Sequence, residues 1–248
     1  MIKSIATKLL LLFSVVALYA QEEVYEFRTY ELEFFRPADV LHHYFEQALI
    51  PALNRQGVNN IGVFEETGQS LPKKIYLLIP YPNISAFQSA NELLLSDAQY
   101  QKDAKPYLTA NPESIPYQQI SVNLIQSTPG FPKLVKPDDA SDLFELRIYE
   151  SYNEDALRRK VKMFNDSEFG IFDDVGLPTV FFGFNIAGEQ MPCLTYMLAF
   201  KNEEEHTAAW SRFGKHPEWQ RIVNLEEYKD AMNDITRIFL KPTSYSQL

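Results

Sequence analysis

Tyr25-Glu26-Phe27-Arg28-Thr29-Tyr30-Glu31 returns 119 residues later as Phe144-Glu145-Leu146-Arg147-Ile148-Tyr149-Glu150. Self-similarity at a fixed offset decides architecture before any local reading does. The chain therefore carries one unit twice, each copy opening on a strand. Downstream of Glu31, the apolar positions Leu41, Phe45, Ala48 and Ala52 recur at helical spacing. Strands follow over 60–66 and 74–80, then a helix from Ser85 and a strand over 119–125. In the second copy Asn153-Glu154-Asp155 supplies a cap and an acidic first turn for a helix with Leu157, Val161, Phe164 and Ile171-Phe172 on one side. Strands over 178–186 and 194–201, a helix capped by Asn202 and a strand over 235–240 complete it.

Each copy thus reads β-α-β-β-α-β, the split pattern of ferredoxin-like modules. The expected fold class is α+β, with modules at 21–127 and 143–248 and a Pro-rich, charged linker at 128–142. A four-stranded sheet with helices on one face leaves the other face to be covered. The economical solution sets the two sheets face to face within one chain, as an intrachain dimeric α/β barrel.

Residues 1–20 read as an export signal: Lys3 and Lys8 precede an apolar run from Leu9 to Leu18, and Ala20 stands before Gln21-Glu22-Glu23. The run is shorter than the roughly 20 residues a membrane span needs. The expectation is a secreted or periplasmic protein, cut after Ala20, with no integral membrane segment once the leader is gone. Because that leader holds two lysines and no acid, its removal takes the formal charge from −10 to −12. An acidic body without a long basic run disfavours nucleic acid. With Cys193 as the single cysteine, no intrachain disulfide can form, and its apolar setting reads as a small buried hydrophobe. Nine glycines and no Gly-x-Ser-x-Gly, His-Glu-x-x-His or phosphate loop leave the usual catalytic signatures absent.

The Glu-x-Arg-x-Tyr strands (Glu26, Arg28, Tyr30 and Glu145, Arg147, Tyr149), the helices ending at Gly57 and Gly176, and His216-Pro217-Glu218-Trp219-Gln220 together resemble the NIPSNAP family. The resemblance spans nearly the whole mature chain. Asp97-Ala98-Gln99-Tyr100-Gln101 matches less well than its partner segment, and Phe181-Phe182-Gly183 departs from the usual family strand. The resemblance implies a tandem member of the dimeric α/β barrel superfamily. It implies no reaction, because the family has none generally assigned, while superfamily relatives include cofactor-free monooxygenases, small-molecule isomerases and haem enzymes.

Alternate strand residues point to opposite faces. Phe144, Leu146 and Ile148 form an apolar face suited to helices, so Glu145, Arg147 and Tyr149, and by repetition Glu26, Arg28 and Tyr30, are expected between the two sheets. There they would form an interdomain network through Glu26 and Glu145. Alternatively, Arg28 or Arg147 clamps an anionic ligand with Tyr30 or Tyr149 as donor. Pro51 and Gly170, equivalent at the same offset, predict a kink in the first helix of each copy. His42 and Glu46 lie at i and i+4 without a third ligand, so no metal or other cofactor is expected. His206 and His216 read as solvated, and Trp210, Phe213 and Trp219 as core. The leading expectation is an exported protein that binds a small molecule or an exported protein partner, with oligomeric state unspecified. The alternatives are a cofactor-independent monooxygenase- or isomerase-like enzyme, and a structural interaction module. A polar pocket kept in one copy alone would make the other a scaffold.

Overall fold

A computed structural model describes residues 22–69 and 71–248; the proposed leader lies outside them. The first half runs β1 (Val24–Leu32), a helix α1 over residues 39–55, β2 (Gly62–Glu66), β3 (Lys74–Tyr81), helices α2 (Ile84–Ser96), α3 (Ala98–Asp103) and α4 (Lys105–Leu108), and β4 (Tyr117–Ser127). The second half runs β5 (Leu143–Glu150), α5 over residues 154–175, β6 (Thr179–Ala187), β7 (Cys193–Phe200), α6 (Glu203–Lys215), α7 (Pro217–Ile222) and β8 (Asp234–Pro242). Asn83, Asn153 and Asn202 each accept a backbone N–H of the first turn, fixing where α2, α5 and α6 begin. Gly57 and Gly176 take positive φ beyond α1 and α5, the left-handed geometry that lets the chain turn back into a strand.

The eight strands close into one antiparallel barrel in the order β1-β3-β2-β8-β5-β7-β6-β4. Each half supplies four adjacent strands in the same relative order, β4-β1-β3-β2 and β8-β5-β7-β6. The halves join at two seams, Phe64 to Glu66 against Leu240 to Pro242, and Leu124 to Ser127 against β6. At the second seam Gly183 is indispensable, because a Cβ there would lie 2.3 Å from the Gln126 carbonyl oxygen. Sheet edges that would otherwise be open are consumed by pairing with the other half.

The barrel interior is apolar and filled by side chains. Tyr25, Phe27, Phe64, Phe144, Leu146 and Phe181 meet there, each no more than 2% exposed. Tyr25 packs on Phe181 and Phe64 on Phe144, with ring centroids 5.1 and 4.9 Å apart, so each half fills space beside the other. This reverses the expected facing of the repeated strands. Glu26, Arg28 and Tyr30, and Glu145, Arg147 and Tyr149, lie on the outer surface of the barrel, beneath the helices of their own half. The reason is geometric: the barrel interior is closed to water from every side and takes the apolar face. The gap beneath a helix opens at its ends and tolerates charge. The interdomain network is therefore corrected to two networks, one within each half.

The helical irregularity is shared by the halves but sits ahead of the predicted residues. Phe45–Leu49 in α1 and Phe164–Glu168 in α5 each form a π turn, closed by Ile50 N–H to the Phe45 carbonyl and Phe169 N–H to that of Phe164. Both helices continue through Pro51 and Gly170. Among the described residues no helix is long and apolar enough to cross a membrane.

Candidate functional site

In the second half the repeated strand sets Glu145, Arg147 and Tyr149 in a row under α5 and α6. Glu145 is fully buried and accepts three hydrogen bonds, from Arg147 Nε (2.8 Å), Trp210 Nε1 (2.8 Å) and His206 Nε2 (3.1 Å). Arg147 donates onward to the Tyr149 hydroxyl at 2.8 Å, which lies 2.7 Å from that of Tyr196. The guanidinium carbon sits 3.8 Å above the Trp210 ring, close enough for a cation–π contribution. His206 is thus not a solvated surface group; it is wedged between Phe200 and Phe239 and committed to Glu145. His216 is partly exposed and faces Asp174 at 3.5 Å.

Two residues not anticipated from the sequence complete the site. Lys160 and Glu168, 5% and 2% exposed, form an ion pair 2.5 Å long inside α5. A regular helix returns to one face after seven residues, and the π turn inserts one more. The turn thereby places residues eight apart in register. Burial raises the Glu168 carboxyl above its ordinary value, with Lys160 and then Arg147 opposing the shift. The Tyr196 phenol is raised well above its ordinary range by burial and then by Tyr149, so it stays a neutral donor or acceptor.

Arg147, Tyr149, Lys160 and Glu168 line a hollow of about 220 Å³ between α5, α6, α7 and the sheet, walled by Phe172, Trp210, Phe213 and Trp219. A second hollow of about 260 Å³ adjoins it, sharing Lys160, Trp219 and Met232, and runs out past Tyr228 and Asp230. Arg159 holds the covering segment by donating to the Glu227 and Lys229 carbonyls. Trp210, Phe213 and Trp219 therefore serve as core and as cavity wall together. A wider groove, about 470 Å³, lies at the seam between halves, lined by Lys201 and Glu203, by Lys241, which pairs with Asp142, and by His206, which is committed to Glu145.

The first half repeats the strand row, and among the described residues aromatic and apolar side chains occupy the equivalent space. Arg28 donates to Glu26 at 2.7 Å, and Tyr81 donates to the same carboxylate. Leu41 and Leu49 stand where Lys160 and Glu168 stand, both buried and apolar. Tyr44 stacks on Tyr107 with centroids 4.0 Å apart, and the Tyr107 and Tyr117 hydroxyls meet at 2.5 Å. At the 119 offset those tyrosines correspond to Met163, Glu226 and Thr236, which leave the space open. Of the residues singled out from sequence, Arg147 and Tyr149 line the hollow, while Tyr30 belongs to a filled core and Arg28, half-buried, is paired with Glu26. The signal for Lys160 and Glu168 was present: charge at two positions that are leucine in the repeat.

Residues 144–247 match the NIPSNAP family model. This half of the chain is a NIPSNAP domain. No curated protein sequence matches the chain. Among solved structures the chain is similar to a "putative monooxygenase" from Fusobacterium nucleatum, with TM-score 0.57, 10% identity and coverage of 89% of this chain and 92% of that one. A "putative monooxygenase" from Lactobacillus acidophilus aligns equally well, at TM-score 0.57, 10% identity and coverage of 89% and 94%. A "putative chlorite dismutase" follows at TM-score 0.50, 10% identity and coverage of 91% and 96%. At such identity these likenesses establish the dimeric α/β barrel fold and nothing about chemistry. The hollow beneath α5 of the NIPSNAP domain, about 220 Å³, is smaller than the roughly 300–1,000 Å³ of pockets that hold drug-sized ligands, so it does not fit haem.

Proposed function

We propose that this chain is an exported protein of two ferredoxin-like modules, residues 21–127 and 143–248, joined by 128–142. Its NIPSNAP domain binds a small flat organic molecule beneath α5, and the first module acts as scaffold. One observation carries the reading: equivalent space is filled by stacked tyrosines and leucines in the first half and is hollow, aromatic-walled and polar in the second. The hollow, at about 220 Å³, exceeds the ~150 Å³ that suffices for benzene in an engineered cavity. A thermal-shift screen tests it, since a ligand of the native state raises stability by about 2.7 kcal/mol at a hundredfold excess over Kd. Hits are expected to lose their shift in the double variant Lys160→Leu, Glu168→Leu. Silence across a broad metabolite library, or shifts indifferent to the double variant, would overturn it. Export is tested separately by sequencing the mature N-terminus, expected at Gln21.

A cofactor-independent enzyme is the second reading. It is favoured by the presence of a titratable pair, Lys160 and Glu168, in the lining itself.

A further inference from the structure

We propose that the Glu168 carboxylate, with Lys160 as its fixed counter-charge, shifts a proton within a small, neutral, enolisable ketone, moving its carbon–carbon double bond into conjugation. The inference rests on the binding reading above.

Charge in the site argues for a neutral substrate. Arg147 is compensated by Glu145 and Lys160 by Glu168, at 2.8 and 2.5 Å. A permanently anionic ligand would bring an unmatched charge into a site shielded from water, at a large desolvation cost. A neutral ketone enters without that cost and becomes anionic only during reaction. The enolate then develops beside the Lys160 ammonium and the Arg147–Tyr149 donors, which are already oriented by Glu145 and Tyr196. Lys160 Nζ lies 4.8 Å from the Phe164 ring centroid, 5.6 Å from that of Tyr149 and 5.8 Å from that of Trp219, so the cation sits among aromatic rings at the hollow. Burial raises the Glu168 carboxyl above its ordinary value, the direction that makes its carboxylate a stronger base.

The step balances within the substrate. The Glu168 carboxylate removes a proton from the carbon between carbonyl and alkene: a C–H bond breaks and an O–H bond forms on Glu168. The electron pair moves to the carbonyl oxygen as an enolate. The same carboxyl returns the proton to the far alkene carbon, leaving the conjugated ketone. No electrons are gained or lost and no co-reactant is consumed, and Lys160 stands beside Glu168 as counter-charge.

Cyclohex-3-enone, incubated with the full mature chain, is the probe. Conversion is read by the absorbance of the conjugated enone and by deuterium uptake in heavy water. Binding is read by ligand-observed NMR. The native protein is expected to bind the probe, convert it and exchange its proton. Glu168→Gln, which keeps shape and an acceptor for Lys160, is expected to bind the probe while conversion falls at least about 100-fold. Should that variant fail to fold, the native protein alone decides. Binding with neither conversion nor deuterium uptake overturns the acid–base role and leaves the binding reading standing. Conversion undiminished in Glu168→Gln also overturns it. Failure to bind the probe, while library hits still raise the melting temperature, overturns the ketone class alone; failure of every ligand overturns both readings.

Discussion

The two halves share strand order, a π turn in the first helix and the Glu-x-Arg-x-Tyr row, yet differ at the positions that look across from helix to sheet. Where the first half has Leu41, Leu49, Tyr44 and Tyr107, the second has Lys160, Glu168, Met163 and Glu226. An irregular helix turn is therefore not by itself a site. The same π turn carries a buried leucine in one copy and a buried carboxylate in the other, and the latter adjoins a hollow.

Removing half of the buried pair tests that contrast most severely. Lys160→Leu alone is expected to destabilise the protein by about 3–5 kcal/mol in urea unfolding, because Glu168 is left buried without its counter-ion. Copying the first half completely, with Lys160→Leu and Glu168→Leu together, is expected to be neutral or to stabilise by up to about 4 kcal/mol, since apolar replacement of a buried pair removes its desolvation cost. A double variant as unstable as the single one would mean that the halves are not equivalent at these positions. In the first half, Tyr107→Phe deletes the hydroxyl contact to Tyr117 and is expected to cost about 1 kcal/mol in the same measurement.

A pH series refines the comparison. The Glu168 carboxyl is raised in the folded state, so its protonated form is favoured there and its stabilising contribution is complete only below the ordinary value of 4.5. As pH rises from there through the raised value, the native protein is expected to lose stability relative to the double leucine variant. Parallel melting curves across that range would contradict the assignment. The smallest effect concerns Cys193, buried, with its thiol pushed up to about 12 mainly by that burial. In the folded protein it is expected to resist a thiol reagent at neutral pH and to react fully once unfolded.

Several elements were legible in the chain alone. The 119-residue repeat announced the common strand order of both halves. Asn153 and Asn202 cap the helices that their position announces, and Gly57 and Gly176 end theirs. Arg147 and Tyr149 were recognisable as polar groups sharing a strand face. Their direction was not, because alternation says which side chains share a face and is silent on what covers it.

Local chemistry and repetition along the chain thus settle the elements, their caps, their order and the matching of like positions. Three further features came from assembly in three dimensions: which strand face turns inward, how closely β6 approaches β4 at Gly183, and the meeting of Lys160 with Glu168 across an inserted residue. The physical reason is closure. Once eight strands form a barrel, the interior excludes water from both halves at once and must take the apolar faces. The polar rows are left beneath the helices, where one half filled the gap and the other kept it open.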